Sequence, residues 1–87
     1  MRKNLPEKPG VYMFIDRGGR VLYVGKASNL RSRVRSYFSS SIPEKMRRML
    51  DRASDVEFIV TESEQEALIL ENNLIKKHRP PFNIRMR

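Results

Sequence analysis

Two short apolar runs joined by a glycine-rich turn constrain the fold of this 87-residue chain more than any other feature. The runs cover residues 11–15 and 21–24, and both are rich in β-branched and aromatic side chains. Residues 16–20 between them contain two glycines, which supply the positive φ angles that a tight hairpin needs. The sequence therefore predicts an antiparallel hairpin with Tyr12 and Tyr23 on adjacent strands.

The second strand leads into a segment that combines a glycine, cations and a helix. Gly25 and Lys26 follow the strand, and Ser28 or Asn29 can cap a helix that begins near residue 30. Glycine lets backbone N–H groups approach an anion closely, and a helix N-terminus adds positive potential. We therefore expect a phosphate-binding site at this helix N-terminus.

The helix after this segment is amphipathic. Its predicted buried face consists of Ala27, Leu30, Val34, Tyr37 and Phe38. Arg33 lies at the edge of that face one turn before Tyr37, so its guanidinium can reach the phenol. Arg31 and Arg35 lie at other angles, and we predict that all three arginines, with Gly25 and Lys26, contact DNA.

The charge distribution favours nucleic acid as the partner. The net charge is +8, and residues 17–52 hold ten lysines and arginines but only two acids. Residues 53–75 carry net negative charge, with six acids and no base. A protein that simply coats nucleic acid has no reason to contain such an acidic stretch. On charge alone, a solvated surface or adhesion to an acidic membrane stays the alternative.

The remaining sequence predicts a single α+β domain over residues 1–87. A short basic helix is expected at 44–53, a third strand at 56–62, and a helix from the capping box at 63–66 to about residue 77. The third strand is expected at the edge or in the middle of the sheet that the hairpin begins. The chain lacks cysteine, a signal peptide and a membrane-length apolar run, so we expect a cytoplasmic location and no contact with membranes.

An acid interrupts the apolar stripe of the last helix. Measured from Ala67, the apolar residues span about −60° to +100° on the helical wheel, and Glu71 falls at about +40°. An ionised carboxylate there needs a cation, hydrogen-bond donors or water. Glu71 is therefore a candidate ligand for a magnesium or manganese ion, and the alternative is an ion pair with an arginine at the edge of the core.

These residues suit the hydrolysis of a phosphodiester. That reaction needs a positioned water, a proton acceptor, positive charge around phosphorus and stabilisation of the leaving oxygen. The candidates for these roles are Tyr12, Tyr23 and Tyr37 for proton transfer, Lys26 and Arg33 for charge, Glu71 for a metal ion and Asn83 for a polar contact. Packing in the core is the alternative for each tyrosine taken alone.

Five blocks of the sequence also occur in the order and spacing of a known nuclease family. They cover residues 9–12, 23–27, 33–37, 70–77 and 79–83. With them the chain resembles the GIY-YIG nucleases, and within that family the UvrC-like branch. His78 and Phe82 stand where that pattern has tyrosines, so the roles of those hydroxyls do not carry over.

The resemblance implies a small three-stranded antiparallel sheet flanked by helices. It also implies a metal-dependent endonuclease that cuts one DNA strand with one Mg²⁺ or Mn²⁺ ion held by Glu71. It implies that Tyr23 acts on the nucleophilic water and that Arg33 holds the scissile phosphate. Tyr12, Lys26, Tyr37 and Asn83 line the implied site. It also implies incision 3′ to a lesion in nucleotide excision repair, on a complex of UvrB with DNA, and we expect the isolated domain to be a monomer. The alternative of another class is a DNA-binding or partner-binding module with the same fold and no turnover.

Overall fold

The computed structural model describes residues 3–39 and 41–83. In chain order they form β1 (Gly10–Asp16), β2 (Val21–Ala27), α1 (Leu30–Ser36), α2 (Glu44–Arg52), β3 (Ala53–Val60), α3 (Glu64–His78) and a short 3₁₀ turn at Pro81–Asn83. Both strand pairings are antiparallel, and the strand order is β2-β1-β3. The predicted α+β fold, with a three-stranded antiparallel sheet flanked by helices, is confirmed.

The hairpin of β1 and β2 forms as predicted, with longer strands. The Asp16 carboxylate closes its turn by accepting hydrogen bonds of 2.9 Å from the amides of Gly18 and Arg20. Gly19 adopts a φ of 91°, a left-handed conformation that favours glycine. The strands extend to Asp16 and Ala27 because pairing continues along both of them beyond the apolar runs.

The N-terminus of α1 corrects one prediction. Asn29 caps this helix, and its Oδ1 accepts a hydrogen bond of 3.1 Å from the Ser32 amide. The amides of Leu30 and Arg31 donate to backbone carbonyls in the extended segment at residues 6–8. The prediction that these first amides of α1 bind a phosphate is therefore wrong, because protein acceptors already bind them.

The sheet has two different buried faces. The tyrosine face consists of Tyr12, Phe14, Leu22 and Val56, and it packs against Leu5, Leu30, Val34 and Met49 of the N-terminal segment, α1 and α2. The α3 face consists of Val11, Met13, Val21 and Val24, and it packs against Ala67, Leu70, Leu74 and Ile75 of α3. Alternation along β1 produces this division, because successive side chains of a strand point to opposite sides.

The later elements differ from their predicted bounds by a few residues. The strand β3 begins at Ala53 rather than 56, because the chain leaves α2 in an extended conformation and Ala53 pairs at once with Asp16. It ends at Val60 rather than 62, where the chain turns into α3. Ser63 caps α3 as predicted, and Arg79, with a φ of 46°, ends it. In the described part of the chain, no helix is both long and apolar enough to cross a membrane.

Candidate active site

Three tyrosines form a cluster on the tyrosine face of the sheet. The ring centroids of Tyr12 and Tyr37 are 5.7 Å apart, and the Tyr23 ring lies 6.3 Å from each of them. Register explains the cluster: Tyr12 pairs with Gly25, and Tyr23, two residues before Gly25, points to the same side of β2. The structure thus brings together three tyrosines that the sequence had only placed on neighbouring elements.

Gly25 makes room for this cluster. A Cβ atom at this position would collide with the ring and the hydroxyl of Tyr12. The packing of an aromatic side chain, rather than the close approach of an anion, therefore explains why this position is a glycine. A contact between Gly25 and DNA stays a prediction.

Two of the three hydroxyls are buried and bonded to each other. Tyr12 and Tyr37 share a hydrogen bond of 2.7 Å between their hydroxyl oxygens. Burial raises the pKa of Tyr12 and raises that of Tyr37 strongly, so both phenols stay neutral. Tyr23 is the one member of the cluster that is partly exposed. It is therefore the phenol that a water molecule and a substrate can reach.

Arg33 faces the cluster from α1. Its guanidinium lies beside the Tyr12 hydroxyl, and this contact raises the pKa of Arg33. Because the guanidinium is exposed, it can also bind a phosphate from solvent. The predicted proximity of Arg33 and the phenols is thus present in the structure.

A hollow of about 450 Å³ lies beside Arg33. It is lined by Lys26, Ala27, Ser28, Asn29, Ser32, Arg33, Ser36 and Glu64. Sequence reasoning placed Lys26 and Arg33 near a phosphate but missed Ser32, Ser36 and Glu64. The spacing of Ser32 and Ser36, one helical turn apart on either side of Arg33, was a usable signal. Glu64 gave no such signal, because only the folded chain brings the start of α3 to the end of β2.

Asn83 is bonded to the backbone of β2. Its Oδ1 accepts a hydrogen bond of 2.8 Å from the Val24 amide, and its Nδ2 donates one of 3.0 Å to the Val24 carbonyl. This amide continues the hydrogen-bonding ladder on the outer edge of the sheet. Asn83 thus holds the backbone directly after Tyr23, which is a positioning role, and its predicted contact with substrate stays a prediction.

Lys26 and Glu71 lie on the other side of β2. Lys26 pairs with Val11 and therefore points to the α3 face, where it is exposed. Glu71 is half-buried on α3, seven residues after Glu64 and on the same side of the helix. Its carboxylate forms no ion pair or hydrogen bond with another residue of the described ranges 3–39 and 41–83. The predicted alternative of an arginine partner for Glu71 is thus absent among those residues.

Three further predicted residues have contacts of their own. The Arg31 guanidinium bonds to two acceptors of the protein itself. Its Nε donates to the Leu5 carbonyl and a terminal nitrogen donates to the Glu7 carboxylate, both at 2.9 Å. Phe82 packs against the core below the tyrosine face, with the Arg52 guanidinium 5.6 Å from its ring centre. Arg31 is therefore less available to DNA than predicted, because its donors already bind protein acceptors. His78 is the exposed last residue of α3.

This arrangement matches a known protein family. The description of that family is "UvrC-like GIY-YIG domain", and it matches residues 8–84. The chain belongs to this family. Its resemblance to the GIY-YIG nucleases, predicted from five sequence blocks, is thereby confirmed.

Curated relatives carry the same domain within longer chains. UvrABC system protein C of Carboxydothermus hydrogenoformans is 57% identical over 86 residues, which cover 94% of this chain and 14% of that protein. Its counterpart in Symbiobacterium thermophilum is 54% identical over 85 residues, which cover 95% of this chain and 14% of that protein. The chain thus spans about one seventh of the length of these relatives.

Solved structures of the same domain confirm the fold. The GIY-YIG N-terminal endonuclease domain of UvrC from Thermotoga maritima has a TM-score of 0.85 and 48% identity, and the match covers 92% of this chain and 88% of that one. That structure holds magnesium, described as its catalytic divalent cation. A variant of that domain with one asparagine replaced by alanine also binds the catalytic cation and has the same TM-score.

Proposed function

We propose that this chain is an endonuclease domain that hydrolyses a phosphodiester bond in one strand of DNA with the help of one divalent metal ion. The observation that carries the proposal is the exposed Arg33 guanidinium beside a cluster of three phenols, of which only Tyr23 is open to solvent. A binding module needs cations at its surface, but it does not need a buried and hydrogen-bonded phenol pair behind one reachable hydroxyl.

The residues of the cluster have different roles in this proposal. Arg33 binds the scissile phosphate and stabilises the charge that develops on its oxygens. Tyr23 orients the attacking water and, in its phenolate form, accepts a proton from that water to become a neutral phenol. Tyr12 and Tyr37 stay neutral, and their shared hydrogen bond holds both rings against Tyr23. Lys26 lines the same hollow as Arg33 and adds positive charge there.

Glu71 is the residue that would hold the metal ion. The carboxylate fits magnesium or manganese, because it is a hard oxygen ligand that is half-buried and that no described residue neutralises. The described residues contain no group of three potential ligands, so most of the coordination shell is expected to be water, as magnesium prefers. When bound, such an ion supplies positive charge that stabilises the leaving 3′ oxygen.

Cleavage of a labelled duplex in magnesium, in manganese and in EDTA tests this proposal. We expect strand cleavage only with a metal ion, and a loss of about 10³-fold or more in Glu71→Gln, which keeps the shape of the side chain and removes its charge. The exposed acid Glu57 on β3 provides the matched control, because Glu57→Gln changes the net charge equally. DNA binding without cleavage in both metals would instead favour the non-catalytic module, and near wild-type cleavage by Glu71→Gln would refute the metal ligand.

The wider context of the reaction is part of the same proposal. The relatives are named as component C of the UvrABC system, and the matching domain of T. maritima is named an endonuclease. We therefore propose incision 3′ to a lesion during nucleotide excision repair, with a UvrB–DNA complex as the substrate. A cytoplasmic location, where bacterial DNA lies, and a monomeric isolated domain follow as predictions.

A further inference from the structure

The helix α1 has depressions on both sides, and the proposed reaction uses only one of them. The second is a groove of about 780 Å³ between α1, β3 and the N-terminal segment. It is lined by Lys3, Asn4, Leu5, Arg31, Val34, Arg35, Phe38 and Val56. Its lining combines apolar side chains with those of three cations, a combination that fits a ligand with both a flat apolar part and a negative charge.

Phe38 is a large apolar side chain of this groove that is mostly exposed to solvent. Helical periodicity predicts it to be buried with Leu30 and Val34, but 58% of its surface is exposed. It follows Tyr37 directly, so its ring stands one residue from the phenol cluster. An exposed phenylalanine offers a face on which a nucleobase can stack, and every base has a face to match it.

Arg35 is the cation of this groove that is available for a ligand. Arg31 is bound to the Leu5 carbonyl and to Glu7, and Lys3 forms an ion pair of 3.2 Å with Asp55. Among residues 3–39 and 41–83, Arg35 forms no ion pair. The Phe38 amide donates a hydrogen bond of 3.0 Å to the Arg35 carbonyl and both side chains line the groove, so a cation and an aromatic ring lie close together there.

We propose that this groove receives an unpaired base of the bound DNA strand, stacked on Phe38, while Arg35 binds a neighbouring phosphate. This inference rests on the proposed function, since it takes DNA as the ligand. Proteins that bind single strands combine a cationic groove with aromatic stacking in this manner, without sequence preference. The site lies beside the phenol cluster, so it places the base on one side of α1 and the scissile phosphate on the other.

Equilibrium binding of a labelled single-stranded oligonucleotide in EDTA tests the proposal without any cleavage. We expect Phe38→Ala to weaken binding about five- to 150-fold, the range for removal of one stacked base. Phe38→Trp is expected to retain affinity, whereas Phe38→Leu, which is apolar but has no aromatic face, is expected to lose it. Ile69→Ala is the matched control, because Ile69 is 60% exposed on α3 and remote from the groove.

Salt dependence separates the base from the phosphate. Arg35→Ala is expected to reduce the slope of log K against log salt by about 0.7, and Phe38→Ala to leave that slope unchanged. The fluorescence of an oligonucleotide that contains 2-aminopurine is expected to be quenched by the wild type and not by Phe38→Ala. Wild-type affinity of Phe38→Ala or Phe38→Leu for DNA would overturn the proposal and leave the groove to an apolar or protein ligand. Because these measurements need no metal ion, they stand apart from any failure to detect nuclease activity.

Discussion

The two faces of the sheet are built from different chemistry. The α3 face is packed with aliphatic side chains alone, such as Val11, Met13 and Val24. The tyrosine face is equally buried but contains the hydroxyls of Tyr12 and Tyr37. Within the described residues, no buried side-chain nitrogen or oxygen lacks a hydrogen-bond partner. Of the two core clusters, only the tyrosine face thus contains buried hydroxyls among the described residues, and those of Tyr12 and Tyr37 bond to each other.

This division suggests separate tasks for the two faces. Burial of a hydroxyl is costly unless it is hydrogen-bonded, whereas an aliphatic contact requires only good packing. We expect substitutions at Arg33 and in the phenol cluster to change the reaction, and truncations of buried aliphatic side chains on the α3 face to change the free energy of unfolding. Four substitutions or conditions test that expectation.

Arg33→Ala is expected to have the largest effect. The single-turnover cleavage rate should fall about 10³-fold or more, because Arg33 acts on charge that develops in the transition state. Affinity for DNA should fall only slightly, since many other cations attract the backbone. Arg35→Ala is the control: it should weaken binding and leave the cleavage rate of bound DNA nearly unchanged. Equal losses of rate in both variants would remove the special role of Arg33.

Tyr23→Phe is expected to have the second-largest effect on the cleavage rate. It keeps the packing of the ring and deletes only the one phenol of the cluster that solvent reaches, so the chemical step should slow about 10²- to 10³-fold. Rapid-quench measurement of pre-bound duplex, with the thermal midpoint as the check on folding, gives the answer. A rate within about threefold of the wild type would mean that Tyr23 only packs.

Met13→Ala tests the opposite face. Truncation of this buried side chain should lower the free energy of unfolding by about 2–4 kcal/mol, measured by urea denaturation. The cleavage rate of bound DNA, measured well below the unfolding transition, should stay within about twofold of the wild type. A large loss of rate in the folded variant would show that the two faces are not separate.

Alkaline pH should give the smallest effect. The pKa values of Tyr12 and Tyr37 are raised in the folded protein, so above about pH 10 the unfolded chain loses protons that the folded one keeps. The free energy of unfolding should keep its full contribution from these phenols below that pH. At higher pH it should fall by about 1.4 kcal/mol per pH unit for each of them. Urea midpoints between pH 8 and 11 measure the decline, and Tyr37→Phe should make it shallower. An unchanged decline in that variant would contradict the raised pKa of Tyr37.

Local chemistry explains what could be predicted from the sequence. Turn residues and alternation define the hairpin, and the alternation of β2 places Tyr23 and Gly25 on one side. A carboxylate inside an apolar stripe singles out Glu71 by position alone. Each of these features depends on neighbours within about one turn of a helix or two residues of a strand.

Contacts between distant segments explain what could not be predicted. The amides at the start of α1 are bound by residues 6–8, and no local pattern indicates that pairing. Phe38 lies outside the core because α1 ends at Ser36, so the helical wheel no longer applies beyond Tyr37. The groove beside it therefore has no counterpart in the sequence pattern.

The hydrogen bonds between Asn83 and Val24 join positions 59 residues apart, and this separation matters while the chain is being made. At about 5–20 residues per second, the ribosome adds Asn83 roughly 3–12 s after Val24. During that interval the outer edge of β2 is a strand edge with free amides and carbonyls, which other chains can pair with. The last described residue of the domain bonds to that edge. The addition of Asn83 therefore covers part of this edge and fixes the backbone beside Tyr23 in one event.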